Sequence, residues 1–266
     1  MLYKNMEILK FNANKLPRAK QSLRLRLKSP RYSHPSGLTS LFSRVQFIRG
    51  QKPPVISNAK NIPSKKSIGR IIDSLNSGGV LVFPTETVYT LAVDATNAAA
   101  IDKVYKIKGR SFNKPLHVVV SSLEMASRYV RVGRRAKVLA KKFLPGPLTL
   151  ILEKKNKILP DKLTSNLKTL GIRIPDLPLN LIVSQLLDKP YTTTSANISG
   201  GPNPYSIKEV LNQFNNQEKQ MIDFVVDVGP LPKLKPSTLV DLTKTPYKIL
   251  REGPITENQI RNTLNH

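Results

Sequence analysis

The stretch Ser67-Ile68-Gly69-Arg70-Ile71-Ile72-Asp73-Ser74-Leu75-Asn76-Ser77-Gly78-Gly79-Val80-Leu81-Val82-Phe83-Pro84 reads as a helix, a turn and a strand. Ile68, Ile71, Ile72 and Leu75 fall at i, i+3, i+4 and i+7, the spacing of one helical face, and Ser67 stands where an N-cap hydroxyl would. Gly78-Gly79 ends the helix, because glycine enters the left-handed C-terminal turn without steric penalty. Val80–Phe83 is then an unbroken apolar run stopped by Pro84, the pattern of a buried strand.

The same alternation recurs downstream. Leu91–Val93 is a second short apolar run. Asn97 caps a helix with Ile101, Val104 and Tyr105 on one face and Lys108 near its end. Leu116–Val120 reads as strand, Gly133–Phe143 as helix, and Leu148–Leu152 as strand after the rigid Pro145-Gly146-Pro147. A polar connection over residues 154–166 leads to strand Gly171–Ile174, helix Leu179–Leu187 and strand Tyr191–Thr194. Ser206 and Glu209 make a capping box for a helix through Phe214. Ile222–Val226, Leu239–Leu242 and Lys248–Leu250 read as strands, and Thr256 with Gln259 opens a last helix. Short strands alternating with helices imply one α/β domain over residues 67–266, a mixed twisted sheet flanked by helices.

Composition narrows the chemistry. The 266 residues include no cysteine, which excludes disulfides, thiolate nucleophiles and cysteine-ligated zinc. The histidines are His34, His117 and His266, too few for a histidine-rich metal centre. No run approaches the ~20 apolar residues of a transmembrane helix. Catalysis must rest on carboxylates, hydroxyls, amides and cations.

Residues 1–66 carry 15 Lys/Arg against one acid, Glu7, within a chain of net charge +26. Basic, serine-containing, acid-poor composition is that of an organelle transit segment, so 1–66 is expected to be an unpacked extension dispensable for catalysis, with a mitochondrial and/or cytoplasmic protein as the result. A basic arm that binds RNA or a membrane surface is the other reading. Residues 67–266 hold 28 basic and 16 acidic residues, a net of +12, which fits an anionic partner such as a nucleotide or RNA.

Common nucleotide signatures (GxxxxGK[ST], GxGxxG) and HExxH are absent. The informative blocks are Pro84-Thr85-Glu86-Thr87-Val88-Tyr89, Lys108-Gly109-Arg110, Lys114-Pro115-Leu116, Pro145-Gly146-Pro147-Leu148-Thr149 and Gly171-Ile172-Arg173-Ile174-Pro175, followed by Ser195-Ala196-Asn197-Ile198-Ser199-Gly200, Ser237-Thr238-Leu239-Val240-Asp241 and Leu250-Arg251-Glu252-Gly253. Their identity and order resemble the YrdC-type threonylcarbamoyl-adenylate synthases, in the short, single-domain form. The resemblance implies a YrdC/RibB-like fold and an L-threonylcarbamoyladenylate synthase. Such an enzyme joins L-threonine, bicarbonate and ATP into threonylcarbamoyl-AMP and pyrophosphate, for a downstream threonylcarbamoyl transferase that modifies tRNA. That chemistry needs aligned reactants and neutralised charge rather than a protein nucleophile.

By resemblance, Lys108, Arg110, Ser195 and Asn197 are the catalytic set. Lys108 and Arg110 face the triphosphate, although cations at a helix C-terminus also suit the helix dipole. Thr87, Arg173, Thr193 and Ser237 would bind threonine, Arg173 clamping its carboxylate with a planar donor pair. Arg110, Lys114, Thr169, Ser195, Asn203 and Arg251 would bind ATP. Mg2+ is expected with ATP, with Glu86 and Asp94 as candidate ligands neither of which is preferred.

Two residues depart from the family pattern, and a third position stays outside catalysis. Thr90 stands where glycine is usual, so a Cβ could shift the loop. Val119 replaces a common histidine. His117 reads as a strand residue outside catalysis. The rival reading is a non-catalytic RNA-binding protein of the same fold, for which the +12 surface would suffice. A carbamoyl-phosphate enzyme of metallocentre assembly is disfavoured by the lack of cysteine.

Overall fold

The computed structural model describes residues 7–10, 64–155 and 158–265. The helices are α1 (Lys65–Asn76), α2 (Ala98–Lys108), α3 (Leu123–Ser127), α4 (Arg134–Phe143), α5 (Pro178–Leu187), α6 (Ile207–Gln213), α7 (Asn216–Gln220) and α8 (Glu257–Asn265). The strands are β1 (Glu7–Lys10), β2 (Leu81–Pro84), β3 (Tyr89–Ala92), β4 (Val118–Val119), β5 (Leu148–Glu153), β6 (Thr169–Arg173), β7 (Tyr191–Thr192), β8 (Thr194–Ser195), β9 (Phe224–Asp227), β10 (Thr238–Asp241) and β11 (Lys248–Arg251).

The α/β reading holds, but the strands form two mixed sheets instead of one. The first runs β1-β9-β2-β3-β8 and the second β11-β10-β5-β6-β4-β7. The split falls at Thr193, between β7 in the second sheet and β8 in the first. Val80 through Phe83 are at most 1% exposed, consistent with a strand covered on both faces. β2 and β3 form a hairpin in register Phe83↔Thr90, and Thr90 donates its hydroxyl to the Phe83 carbonyl at 2.9 Å. The Cβ at position 90 is therefore absorbed within the hairpin.

Local details differ from the sequence reading where caps compete. α1 begins a turn early: Ser64, not Ser67, is the cap, its hydroxyl accepting from the Ser67 N–H at 3.1 Å. At α6, Ser206 caps the Glu209 N–H, but the Glu209 carboxylate accepts from the Tyr205 N–H instead of closing the box. A reciprocal box occurs at Asn215 and Glu218, opening α7. The strand expected over 116–120 is reduced to Val118–Val119, and His117 precedes it.

The transit-like reading of 1–66 lies outside the described residues apart from 7–10 and 64–66. Glu7–Lys10 does not stand apart from the domain: it is an edge strand parallel to β9, in register Glu7↔Phe224 through Lys10↔Asp227. Backbone pairing at an open edge needs little side-chain signal, which is why composition misses it. Among the described residues no helix is long and apolar enough to cross a membrane.

Candidate active site

Thr85 organises the turn after β2. Its hydroxyl accepts from the Thr87 and Val88 N–H groups at 3.2 Å and donates to the Val88 carbonyl at 2.9 Å. This turn fixes Glu86 and Thr87 against Arg173 at the end of β6. Both terminal guanidinium nitrogens of Arg173 donate to the Thr87 hydroxyl, at 3.1 and 3.2 Å, and one lies 2.8 Å from a Glu86 carboxylate oxygen. Arg173 is 4% exposed, so this cation is buried among dedicated partners.

The turn forms one wall of a cleft between the two sheets, about 640 Å³ including its open mouth. Thr87, Val88, Thr90 and Ser195 come from the first sheet and its turn; Thr149, Arg173, Ser237 and Arg251 come from the second. Arg110, His117, Thr193, Thr194 and Asn203 complete its polar lining. Three guanidiniums thus face one cleft, and among the described residues no carboxylate lines it.

Each arginine is braced from behind. α2 ends at Gly109, whose left-handed φ of 52° turns the chain so that Arg110 folds back. Arg110 donates to the Lys114 and Pro115 carbonyls, each at 3.1 Å. Arg251 donates to the Ser237 carbonyl at 3.0 Å and to its hydroxyl at 3.4 Å, while Thr149 and Ser237 share a hydroxyl pair at 2.8 Å. Gly253 follows because a Cβ there would collide with the Pro236 carbonyl and the Thr238 amide. Burial lowers the pKa of both Arg110 and Arg251 from the usual arginine value.

Of the residues singled out in the sequence, Thr87, Arg110, Arg173, Thr193, Ser195, Asn203, Ser237 and Arg251 meet in the cleft. Lys108 and Asn197 sit behind it. Lys108 is 1% exposed, and its ammonium donates to the Ser195 carbonyl and, at 2.8 and 2.9 Å, to the Asn197 carbonyl and side-chain oxygen. All three N–H groups are spent on the Ser195–Asn197 loop, so none points to a triphosphate. Burial and the neighbouring Arg110 lower the Lys108 amine to about 7. Asn197 receives the Ser195 hydroxyl at 2.6 Å and donates to the Gly201 carbonyl at 2.7 Å. In this arrangement Lys108 holds the Ser195–Asn197 loop from behind the cleft.

Lys114 and Thr169 are not among the cleft residues. Lys114 is exposed and contributes its backbone carbonyl, as the acceptor for Arg110 and for the Tyr105 hydroxyl. Thr169 opens β6 opposite Glu153, four residues from Arg173 and so about 13 Å along the strand. The short motif Lys-Pro-Leu shows nothing of which atom faces the ligand, and Thr169 belongs to no motif block.

His117 is the cleft residue that the sequence reading set aside. Its ring rests on Gly171, where a Cβ would lie 2.5 Å from the imidazole, and its carbonyl accepts from the Thr193 N–H at 2.8 Å. Gly171 opposite a histidine was the available signal. Burial, then Arg251, Arg110 and Arg173, push its pKa down to about 4. An unfolded histidine binds a proton near 6.5, so the unfolded chain holds more protons between pH 6.5 and about 4. Stability is therefore expected to fall as pH drops through that window. Replacing His117 with Gln should flatten this part of a melting-temperature profile; an unchanged profile would remove His117 from the account.

Among the described residues no cluster of three acidic or histidine side chains could hold a metal. Of the two candidate carboxylates, Asp94 is bound to Lys189 at 2.8 Å and to Thr96, and Glu86 faces Arg173. The described residues hold no carboxylate cage for magnesium; the oxygen-bearing side chains that line the cleft are hydroxyls and the Asn203 amide.

Comparison with known proteins places the chain in a family. The Sua5/YciO/YrdC family model, described as "Telomere recombination", matches residues 73–253. A putative threonylcarbamoyl-AMP synthase of Methanocaldococcus jannaschii is 38% identical over 191 residues, covering 72% of this chain and 87% of that protein. The threonylcarbamoyl-AMP synthase of Pyrococcus abyssi is 34% identical over 191 residues, but the match spans only 55% of its length and 71% of this chain. The crystal structure of P. abyssi Sua5 complexed with L-threonine superposes with a TM-score of 0.70 at 32% identity, over 75% of this chain and 57% of that one.

Proposed function

The chain belongs to the Sua5/YciO/YrdC family, and on that premise we propose that it is a threonylcarbamoyl-AMP synthase whose cleft assembles L-threonine, bicarbonate and ATP. The observation that carries this reading is the convergence of Arg110, Arg173 and Arg251 on one cleft lined with hydroxyls and free of carboxylates. Two substrates are anions, and threonine brings a carboxylate. A site for them needs fixed cations and hydrogen-bond donors, placed before binding so that little reorganisation remains at the reaction.

Threonine enters between Thr87 and Arg173, its carboxylate on the guanidinium and its hydroxyl among Thr193, Thr149 and Ser237. The threonine amine adds to carbon dioxide with loss of a proton, or condenses with bicarbonate with loss of water, and either route gives the carbamate. His117, held neutral, accepts a hydrogen bond and does not add a fourth cation. A carbamate oxygen then attacks the α-phosphate of ATP, and the bond to the leaving pyrophosphate breaks. Arg110 and Arg251 balance charge on the phosphates, while Ser195 and Asn203 orient the nucleotide. Magnesium bound to the ATP phosphates would supply further charge neutralisation there. The product is passed to a threonylcarbamoyl transferase acting on tRNA.

A non-catalytic RNA-binding role needs positive surface but not three arginines braced around an enclosed cleft. The deciding experiment is incubation with ATP, bicarbonate and L-threonine. Pyrophosphate release that depends on both threonine and bicarbonate is expected, with threonylcarbamoyl-AMP as product. Release that is independent of threonine, or absent from folded protein, would overturn the reading.

A further inference from the structure

Glu86 lies in the decisive turn, yet it does not line the cleft. It reaches Arg173 from outside, one oxygen 2.8 Å from a terminal guanidinium nitrogen. Three atoms around this pair are left over: both carboxylate oxygens of Glu86 and the Nε of Arg173 are shielded from solvent and lack an aligned hydrogen-bond partner. The pair is therefore a close contact of charges with poor hydrogen-bond geometry, and Arg173 keeps a donor in reserve. Buried donors without partners are rare in folded proteins and mark places where a group is to be supplied.

A metal ligand at Glu86 would need further acids nearby, and none cluster there among the described residues. A general base would have to face the cleft. What remains is electrostatic. Without some anion, Arg173 at 4% exposure would be a bare buried cation, a costly arrangement. We propose that Glu86 is an internal counter-anion that shares Arg173 with the substrate carboxylate and so sets the affinity for threonine. The proposal rests on the reading of Arg173 as the threonine clamp. A guanidinium has five N–H donors and can serve two carboxylates, but each carboxylate weakens the field felt by the other. Affinity is thus held below what Arg173 alone would give, and the ligand-free fold gains a stable buried charge.

The test is calorimetric titration of L-threonine into the full chain, with thermal melts run beside it. Glu86→Gln keeps the shape and removes the charge. It is expected to bind threonine about tenfold more tightly. It should also melt lower without threonine and gain more on its addition, since the substrate carboxylate then supplies the missing counter-charge. Threonine affinity equal to or weaker than wild type overturns the proposal. If Glu86→Gln does not fold, Glu86→Asp is read instead, because it draws the charge back by one methylene. An increase of about threefold is then expected, and no increase overturns the idea. Arg173→Ala separates the two levels. If it leaves threonine affinity intact, the clamp reading itself fails; if it weakens affinity while the Glu86 variants do not tighten it, only the counter-anion is lost.

Discussion

Arg173→Ala is expected to raise the threonine KM by one to two orders of magnitude while the ATP KM moves much less. A charge-assisted bond to a carboxylate is worth roughly 1.5–3 kcal/mol, which corresponds to about 10- to 150-fold in affinity. The same change strands Glu86, whose side chain is 17% exposed and pairs with Arg173. Removing one partner of a buried pair costs about 3–5 kcal/mol, so a lower melting temperature accompanies the kinetic defect. Steady-state kinetics on protein shown by circular dichroism to be folded will separate the two effects. Equal changes in both Michaelis constants would remove Arg173 from threonine binding and leave it as a structural cation of the cleft.

Arg173 also shows how far sequence reaches. Its neighbours Ile172 and Ile174 mark a strand, and the motif around it marks a site. That it would be one of three cations facing a cleft between two sheets depends on topology, because Arg110 sits after α2 and Arg251 ends β11. The long periodic elements were legible: α1 through its isoleucine stripe, β2 through its apolar run, α2 through Asn97, which caps the Ala100 N–H at 3.0 Å. The division into two sheets was not, since β7 and β8 are two residues each and no periodicity separates them. Likewise β1 owes its place to backbone pairing with β9, which a basic, acid-poor segment does not announce. His117 was discounted because a histidine beside an apolar run reads as a strand residue. Only the cleft shows which way its ring faces.

Lys108 holds the loop that presents Ser195, and its replacement is expected to be as damaging as any in the cleft. Lys108→Met keeps the length and apolar stem but withdraws three N–H donors from the Ser195 carbonyl, the Asn197 carbonyl and the Asn197 side chain. The side-chain oxygen still receives the Ser195 hydroxyl at 2.6 Å and the Ser195 carbonyl still accepts from the Asn197 N–H at 2.9 Å, but the Asn197 carbonyl loses its Lys108 donor, at about 1–3 kcal/mol. The loop that presents Ser195 to the cleft then loosens, and turnover is expected to fall at least about 100-fold, since misplacement by 1 Å has that effect. Lys108→Arg distinguishes this anchor from a phosphate contact. A cation facing a triphosphate tolerates arginine, which serves phosphate well. Three acceptors converging on one nitrogen suit an ammonium, and a flat guanidinium fork cannot meet them from the same buried position. Lys108→Arg should therefore lose both stability and turnover, close to Lys108→Met. Wild-type melting with only a changed ATP affinity in the arginine variant would place the Lys108 charge on the nucleotide after all, and with it a movement of the Ser195–Asn197 loop when ATP binds.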